Sequence, residues 1–108
     1  MAKVVRLTTP TFIFRTEGNV DLTLAAEVHV TFSSYGVLLD KTGDDLDVSA
    51  QEISVYMSQA DTYKLKPGRC EVMINWIYEN GSRGSNDPEH PIIFTVDKNL
   101  LDRVIEVS

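Results

Sequence analysis

The run Cys70-Glu71-Val72-Met73-Ile74-Asn75-Trp76-Ile77-Tyr78-Glu79 decides the fold class. Cys70, Val72, Ile74, Trp76 and Tyr78 alternate with Glu71, Met73, Asn75, Ile77 and Glu79, the period of two that sends successive side chains to opposite faces of a strand. The first series is apolar and suits a face turned to a core. The second carries Met73 and Ile77 among polar residues. That face is therefore either covered by the chain itself or offered to a partner.

Working outward, shorter runs repeat the pattern. Phe12 and Phe14, then Val28, Val30 and Phe32, then Ile53, Val55 and Met57, and finally Ile92, Phe94 and Val96 recur at every second position. Val4 to Thr8 predicts a less regular first strand that stops before Pro10, which has no N–H for a ladder. Turn residues separate the runs at Glu17-Gly18-Asn19, Ser33-Ser34-Tyr35-Gly36, Lys41-Thr42-Gly43-Asp44-Asp45, Pro67-Gly68, Asn80-Gly81 and Asn86-Asp87-Pro88. Asn80-Gly81 is the strongest of them and predicts a type I′ hairpin, since both residues tolerate positive φ. Ser58-Gln59-Ala60-Asp61 has a helix-start spacing with room for about one turn before Pro67. From Asp97 to Ile105, Leu100, Leu101, Val104 and Ile105 fall at helical spacing and predict a short C-terminal helix behind an Asp97 cap. Many short strands with regular turns predict one all-β domain over residues 1–108, a sandwich or a barrel.

Charge and composition remove several function classes. The chain has 108 residues, with 10 Lys plus Arg against 16 Asp plus Glu, a formal charge of −6. An acidic chain lacks the basic face that displaces counterions from phosphates, so nucleic acid is not an expected partner. A single cysteine excludes an internal disulfide and a multi-cysteine zinc site. Lys3 and Arg6 interrupt the N-terminal apolar residues, and no run reaches the roughly 18 apolar residues of a membrane span. The expectation is a chain kept in the cytosol and not inserted in a membrane.

The residues that could carry chemistry read as structural. Asp40, Asp44, Asp45 and Asp47 lack the ligand spacing and distal glutamate of a calcium loop, and predict an acidic hairpin turn. His29 lies on the polar side of its strand, His90 sits in the Pro88-Glu89-His90-Pro91 loop, and no metal-ligand spacing joins them to each other or to Cys70. Cys70 shares the phase of Val72 and Ile74, as a small buried hydrophobe does. Gly81-Ser82-Arg83-Gly84-Ser85 only resembles a nucleophile elbow, and neither a P-loop nor a dinucleotide fingerprint occurs. No catalytic residue, metal or cofactor is expected. Trp76 shares the core phase and should be buried between the sheets. Tyr56, on the polar side of its strand, joins Met73 and Ile77 as the candidate interaction surface.

The order of these pieces resembles a family. The carrying stretches are Arg6-Leu7-Thr8-Thr9-Pro10-Thr11-Phe12-Ile13-Phe14, Val20-Asp21-Leu22-Thr23-Leu24-Ala25, Val28-His29-Val30-Thr31-Phe32, and Ile53 through Thr62. They continue with Leu65-Lys66-Pro67-Gly68 leading into Val72-Met73-Ile74-Asn75-Trp76, and then Gly81-Ser82-Arg83. Together they resemble small prophage-encoded structural proteins of Gram-positive gut bacteria and the N-terminal immunoglobulin-like modules of phage baseplate and tail proteins. The resemblance implies an immunoglobulin-like β-sandwich and a non-enzymatic structural or assembly role in the tail or baseplate. It implies other phage structural proteins as partners, and residence in the host cytoplasm before assembly and in the virion afterwards. The alternative from another class is a carbohydrate- or surface-binding module using Tyr56 and Tyr35. Weak self-association is also expected, strengthened by salt that screens the acidic copies from one another.

Overall fold

The computed structural model of the chain describes residues 2–16, 20–86 and 92–101. Its strands are β1 (Ala2–Val5), β2 (Thr11–Arg15), β3 (Ala25–Ser34), β4 (Val37–Thr42), β5 (Leu46–Val48), β6 (Glu52–Tyr56), β7 (Gly68–Tyr78), β8 (Arg83–Ser85) and β9 (Ile92–Asp97). A six-residue helix, α1 (Gln59–Lys64), lies between β6 and β7. The fold is all-β in two sheets. The larger runs β1-β9-β7-β3-β4, with β8 also paired to β7, and the smaller runs β2-β6-β5. Among the described residues only β1 and β9 pair in parallel; every other pairing is antiparallel.

Alternation builds the core as the sequence predicts. Val28, Val30 and Phe32 on β3, with Cys70, Val72, Ile74 and Trp76 on β7, are buried on one face of the large sheet. Ile53 and Val55 on β6 meet them from the small sheet. Aromatic rings join the layers: Phe12 of β2 lies 5.5 Å from Phe32 and 5.0 Å from Phe94, centroid to centroid.

The turns differ from expectation in an instructive way. After β7, the Gly81 N–H donates to the Tyr78 carbonyl at 2.9 Å, and the Tyr78 N–H donates to the Ser82 carbonyl at 2.9 Å. Gly81 has φ 87°, while Asn80 is not in the positive-φ region. The connection is therefore a three-residue loop closed by a glycine bulge, not the predicted type I′ turn. Two consecutive positive φ values occur instead at Tyr35 (44°) and Gly36 (84°), between β3 and β4. Tyr35 is an unusual residue for that conformation. Its ring lies against Gly68, where an added Cβ would come within 2.7 Å of it.

The aspartate run is no hairpin. Gly43–Asp45 forms a single 3-10 turn that carries the chain from β4 in the large sheet to β5 in the small one. The C-terminal helix is also not formed where it can be seen. Asp97 ends β9, and its carbonyl accepts the Arg6 N–H at 3.1 Å, so its backbone is committed to β1. Asn99 then folds back, its side-chain oxygen accepting the Leu101 N–H at 3.0 Å and its amide donating to the Arg6 carbonyl at 2.9 Å. The rest of the predicted helix lies outside the described residues, as do His90 and its loop.

Candidate functional site

The outer face of the large sheet is assembled in rows by strand register. Leu38, Ser33 and Glu71 form one row across β4, β3 and β7; Asp40, Thr31 and Met73 form the next. Thr42, His29 and Asn75 follow, and β8 extends this row with Ser85. Ile77 then stands between Glu27 of β3 and Arg83 of β8. Leu38 is 71% exposed and Met73 38%, high for side chains of this size on a paired strand, while Ile77 is half-buried. A hollow of about 290 Å³ opens around Leu38, Thr31 and Met73. Another of about 300 Å³ lies among His29, Asp40, Ile77 and Arg83.

Met73 and Ile77 thus share one face, as their common phase predicts. Tyr56 does not join them. It stands on the outer face of the small sheet, because its neighbours Ile53 and Val55 on β6 turn inward. Its hydroxyl donates to the Asp47 carboxylate on β5, which holds the phenol above its ordinary value of 10.0. Tyr35, the other candidate aromatic, caps the β3–β4 turn. Periodicity reports which side of a strand a residue takes, but not to which sheet the strand belongs. Leu38 was missed for a related reason: Val37-Leu38-Leu39-Asp40-Lys41 does not alternate, since Lys41 turns inward.

His29 is the most elaborated polar group on the face. Its Nδ1 lies 2.9 Å from Asp40 Oδ2 and its Nε2 3.2 Å from Glu27 Oε2, while Thr31 donates to the other Asp40 oxygen at 3.1 Å. Ionised carboxylates only accept, so both contacts are made well only by the imidazolium, whose two nitrogens both donate. The Asp40 hydrogen bond, then that to Glu27, raises the His29 pKa above 6.5 against a smaller opposing effect of burial. A raised folded value means that the pairing stabilises the fold fully below pH 6.5 and ceases to do so as pH rises through the folded pKa. Asp40→Asn should therefore lower the His29 pKa, read from the ring protons by NMR titration. An unchanged midpoint would contradict the pairing.

The other candidates are separated. Asp45 approaches Lys41 at 3.8 Å, while Asp40 and Asp47 are engaged with His29 and Tyr56. Among the described residues no group of three or more His, Cys, Asp or Glu side chains is placed to hold a metal ion. Burial pushes the Cys70 thiol up to about 11, so it carries almost no thiolate near neutral pH. A cleft of about 610 Å³ lies at the start of β3, with Leu22, Ala25, Val28 and Leu46 among its walls. No helix among the described residues is long and apolar enough to cross a membrane. In comparison with known proteins, the chain matches no family model, no curated protein and no solved structure.

Proposed function

We propose that the chain is a non-enzymatic structural or assembly subunit of a phage or prophage tail or baseplate, folded as an immunoglobulin-like sandwich. Its docking face is the outer side of the large sheet. The observation that carries the reading is that exposed Leu38 and Met73, in adjacent rows on β4 and β7, line one hollow on that face, with half-buried Ile77 farther along β7. Polar and charge-paired groups interrupt the apolar area, Glu27 and Asp40 with His29 and Glu71 with Arg69, so the fitting partner presents apolar side chains among hydrogen-bonding groups.

Topology supports the fold. The strand orders β9-β7-β3-β4 and β2-β6-β5 repeat the G-F-C-C′ and B-E-D orders of immunoglobulin-type sandwiches. The inter-sheet disulfide of antibody domains has no counterpart here, because Cys70 is the sole cysteine and phenylalanine rings fill the space. The stretches resembling tail and baseplate modules support the role.

The test is to purify particles from an induced host and quantify this chain against known tail proteins. A fixed copy ratio, lost on Leu38→Asp plus Met73→Asp with unchanged thermal stability, is the expected result. Absence from purified particles would overturn the role. One observation favours the carbohydrate-binding alternative: exposed Tyr56 beside Asp47 pairs an aromatic ring with a carboxylate. A glycan array with Tyr56→Ala as the control decides that reading; a signal unaffected by the substitution would count against it.

A further inference from the structure

Open sheets end in strands whose outward N–H and C=O groups can pair with another chain unless something blocks them. Among the described residues the strands with a free edge are β1, β4 and β8 of the large sheet and β2 and β5 of the small one. Four carry blocking features. β8 has only three residues and opens with the charged Arg83. β4 turns the charged Lys41 inward and Asp40 outward. β5 has only three residues, with Asp47 among them and Asp44 and Asp45 just before it. β1 has four, with Lys3 exposed and Arg6 just beyond.

β2 is different. It reads Thr11-Phe12-Ile13-Phe14-Arg15, has no proline or bulge, and ends in an arginine held by Glu52 at 3.4 Å. Its hydrogen-bonding phase follows from its ends. The Pro10 carbonyl accepts the Met57 N–H at 3.1 Å, and the Thr16 N–H donates to the Gln51 carbonyl at 2.9 Å. Even-numbered residues therefore bond to β6, and antiparallel alternation turns the N–H and C=O of Thr11, Ile13 and Arg15 away from it. Among the described residues no strand pairs with that side. Apolar surface flanks it on both faces: Ile13 is 58% exposed outside, and Phe12 and Phe14 are half-buried inside with their rings stacked 6.0 Å apart.

We propose that β2 is a homotypic pairing edge, on which two copies join antiparallel about a two-fold axis at Ile13 and merge their small sheets into one. The sequence of the strand selects a second copy over an unrelated strand, because it reads nearly the same in both directions: polar, Phe, Ile, Phe, polar. In that register Ile13 faces its own symmetry mate and Thr11 faces Arg15 of the other copy. These are the residues with outward backbone groups, so each pair exchanges both N–H···O=C bonds. Phe12 faces the other copy's Phe14, extending each core across the joint. Each Arg15 keeps its Glu52 and meets a threonine, so no like charges come opposite one another. A symmetric closed pair is the usual outcome of such a self-complementary contact.

The experiment is sedimentation of the full chain over a concentration series at two salt levels, with amide hydrogen exchange on the same samples. The expected result is a monomer–dimer equilibrium, stronger at higher salt because each copy carries −6. The Thr11, Ile13 and Arg15 amides should gain protection with concentration, and those of Val37–Thr42 should not. Ile13→Pro removes an outward N–H that β6 does not use, and Ile13→Lys places a charge at the axis. Both should abolish the dimer, whereas Leu38→Lys on the large sheet should leave it intact. A monomer throughout overturns the proposal. So does a dimer that survives both Ile13 variants or is lost in Leu38→Lys, and so does protection of the Ile13 amide that does not change with concentration. Should either variant fail to fold, the exchange pattern of the unaltered chain still decides. None of these outcomes depends on the chain's place in a virion.

Discussion

Trp76→Ala is expected to destabilise the fold by about 3–5 kcal/mol, the usual cost of deleting a large buried aromatic side chain. Trp76 is 6% exposed and belongs to the core cluster. Its place there depends on a glycine. Trp76 pairs with Gly84 on β8, and a Cβ added at Gly84 would overlap the indole ring itself. The ring thus lies across the backbone of β8 and occupies the space a side chain there would take. Gly84→Ala should accordingly cost about 1–3 kcal/mol by overpacking. In the Trp76→Ala background it should cost much less, because the clashing ring is gone. Urea unfolding of the two single variants and the double variant closes the cycle. Additive effects would show that ring and glycine do not compete for this space, and a loss below about 1 kcal/mol for Trp76→Ala would contradict its core position.

The burial of Trp76 was legible because a strand of eleven residues with strict alternation leaves its inner face in no doubt. The same signal placed β2, β3, β6 and β9. It failed for β4, whose residue types depart from alternation, and for β5, which has only three residues. β4 hides a lysine among its inward residues, and β5 follows a turn whose aspartates resemble an exposed hairpin. β8, Arg83–Ser85, contains no apolar residue at all; it is a strand only because β7 and the Glu79–Gly81 loop hold it there. For the candidate surface, Met73 and Ile77 could be read from their phase on one strand. Tyr56 could not be assigned to a face, since that depends on how strands partition between sheets, a matter of long-range pairing. The predicted cap at Asp97 shows a related limit: its backbone is drawn into β9–β1 pairing, a long-range contact that local spacing does not report.

Asp61→Ala is expected to cost about 3–5 kcal/mol, because it strands a charge that the fold has taken almost completely out of water. Lys41 points into the interior from β4, its side chain 7% exposed, with Nζ 2.6 Å from Asp61 Oδ2. Asp45 also approaches it, but at 3.8 Å and mostly exposed. The same Asp61 oxygen accepts the Ser58 N–H at 2.9 Å, while the Ser58 hydroxyl accepts the Asp61 N–H at 3.1 Å, a reciprocal capping box that starts α1. One carboxylate therefore caps the helix that leads into β7 and neutralises the inward lysine of an edge strand. Lys41→Met should be far milder, since an apolar chain of similar length fills the site and Asp61 keeps its helix bonds. The pH dependence separates the two effects. Burial alone would raise the Asp61 pKa, but hydrogen bonds from Lys41 and Ser58 outweigh it and hold the carboxyl below 3.8. A depressed folded value gives stability that is present above the unfolded pKa and lost as pH falls through the folded one. Unfolding free energy should thus drop below pH 3.8 in the unaltered chain, and the drop should shrink in Lys41→Met. Urea titrations at neutral pH and through the acid range measure both. Equal losses for Asp61→Ala and Lys41→Met, or an acid dependence indifferent to Lys41, would mean that the carboxylate acts only as a helix cap.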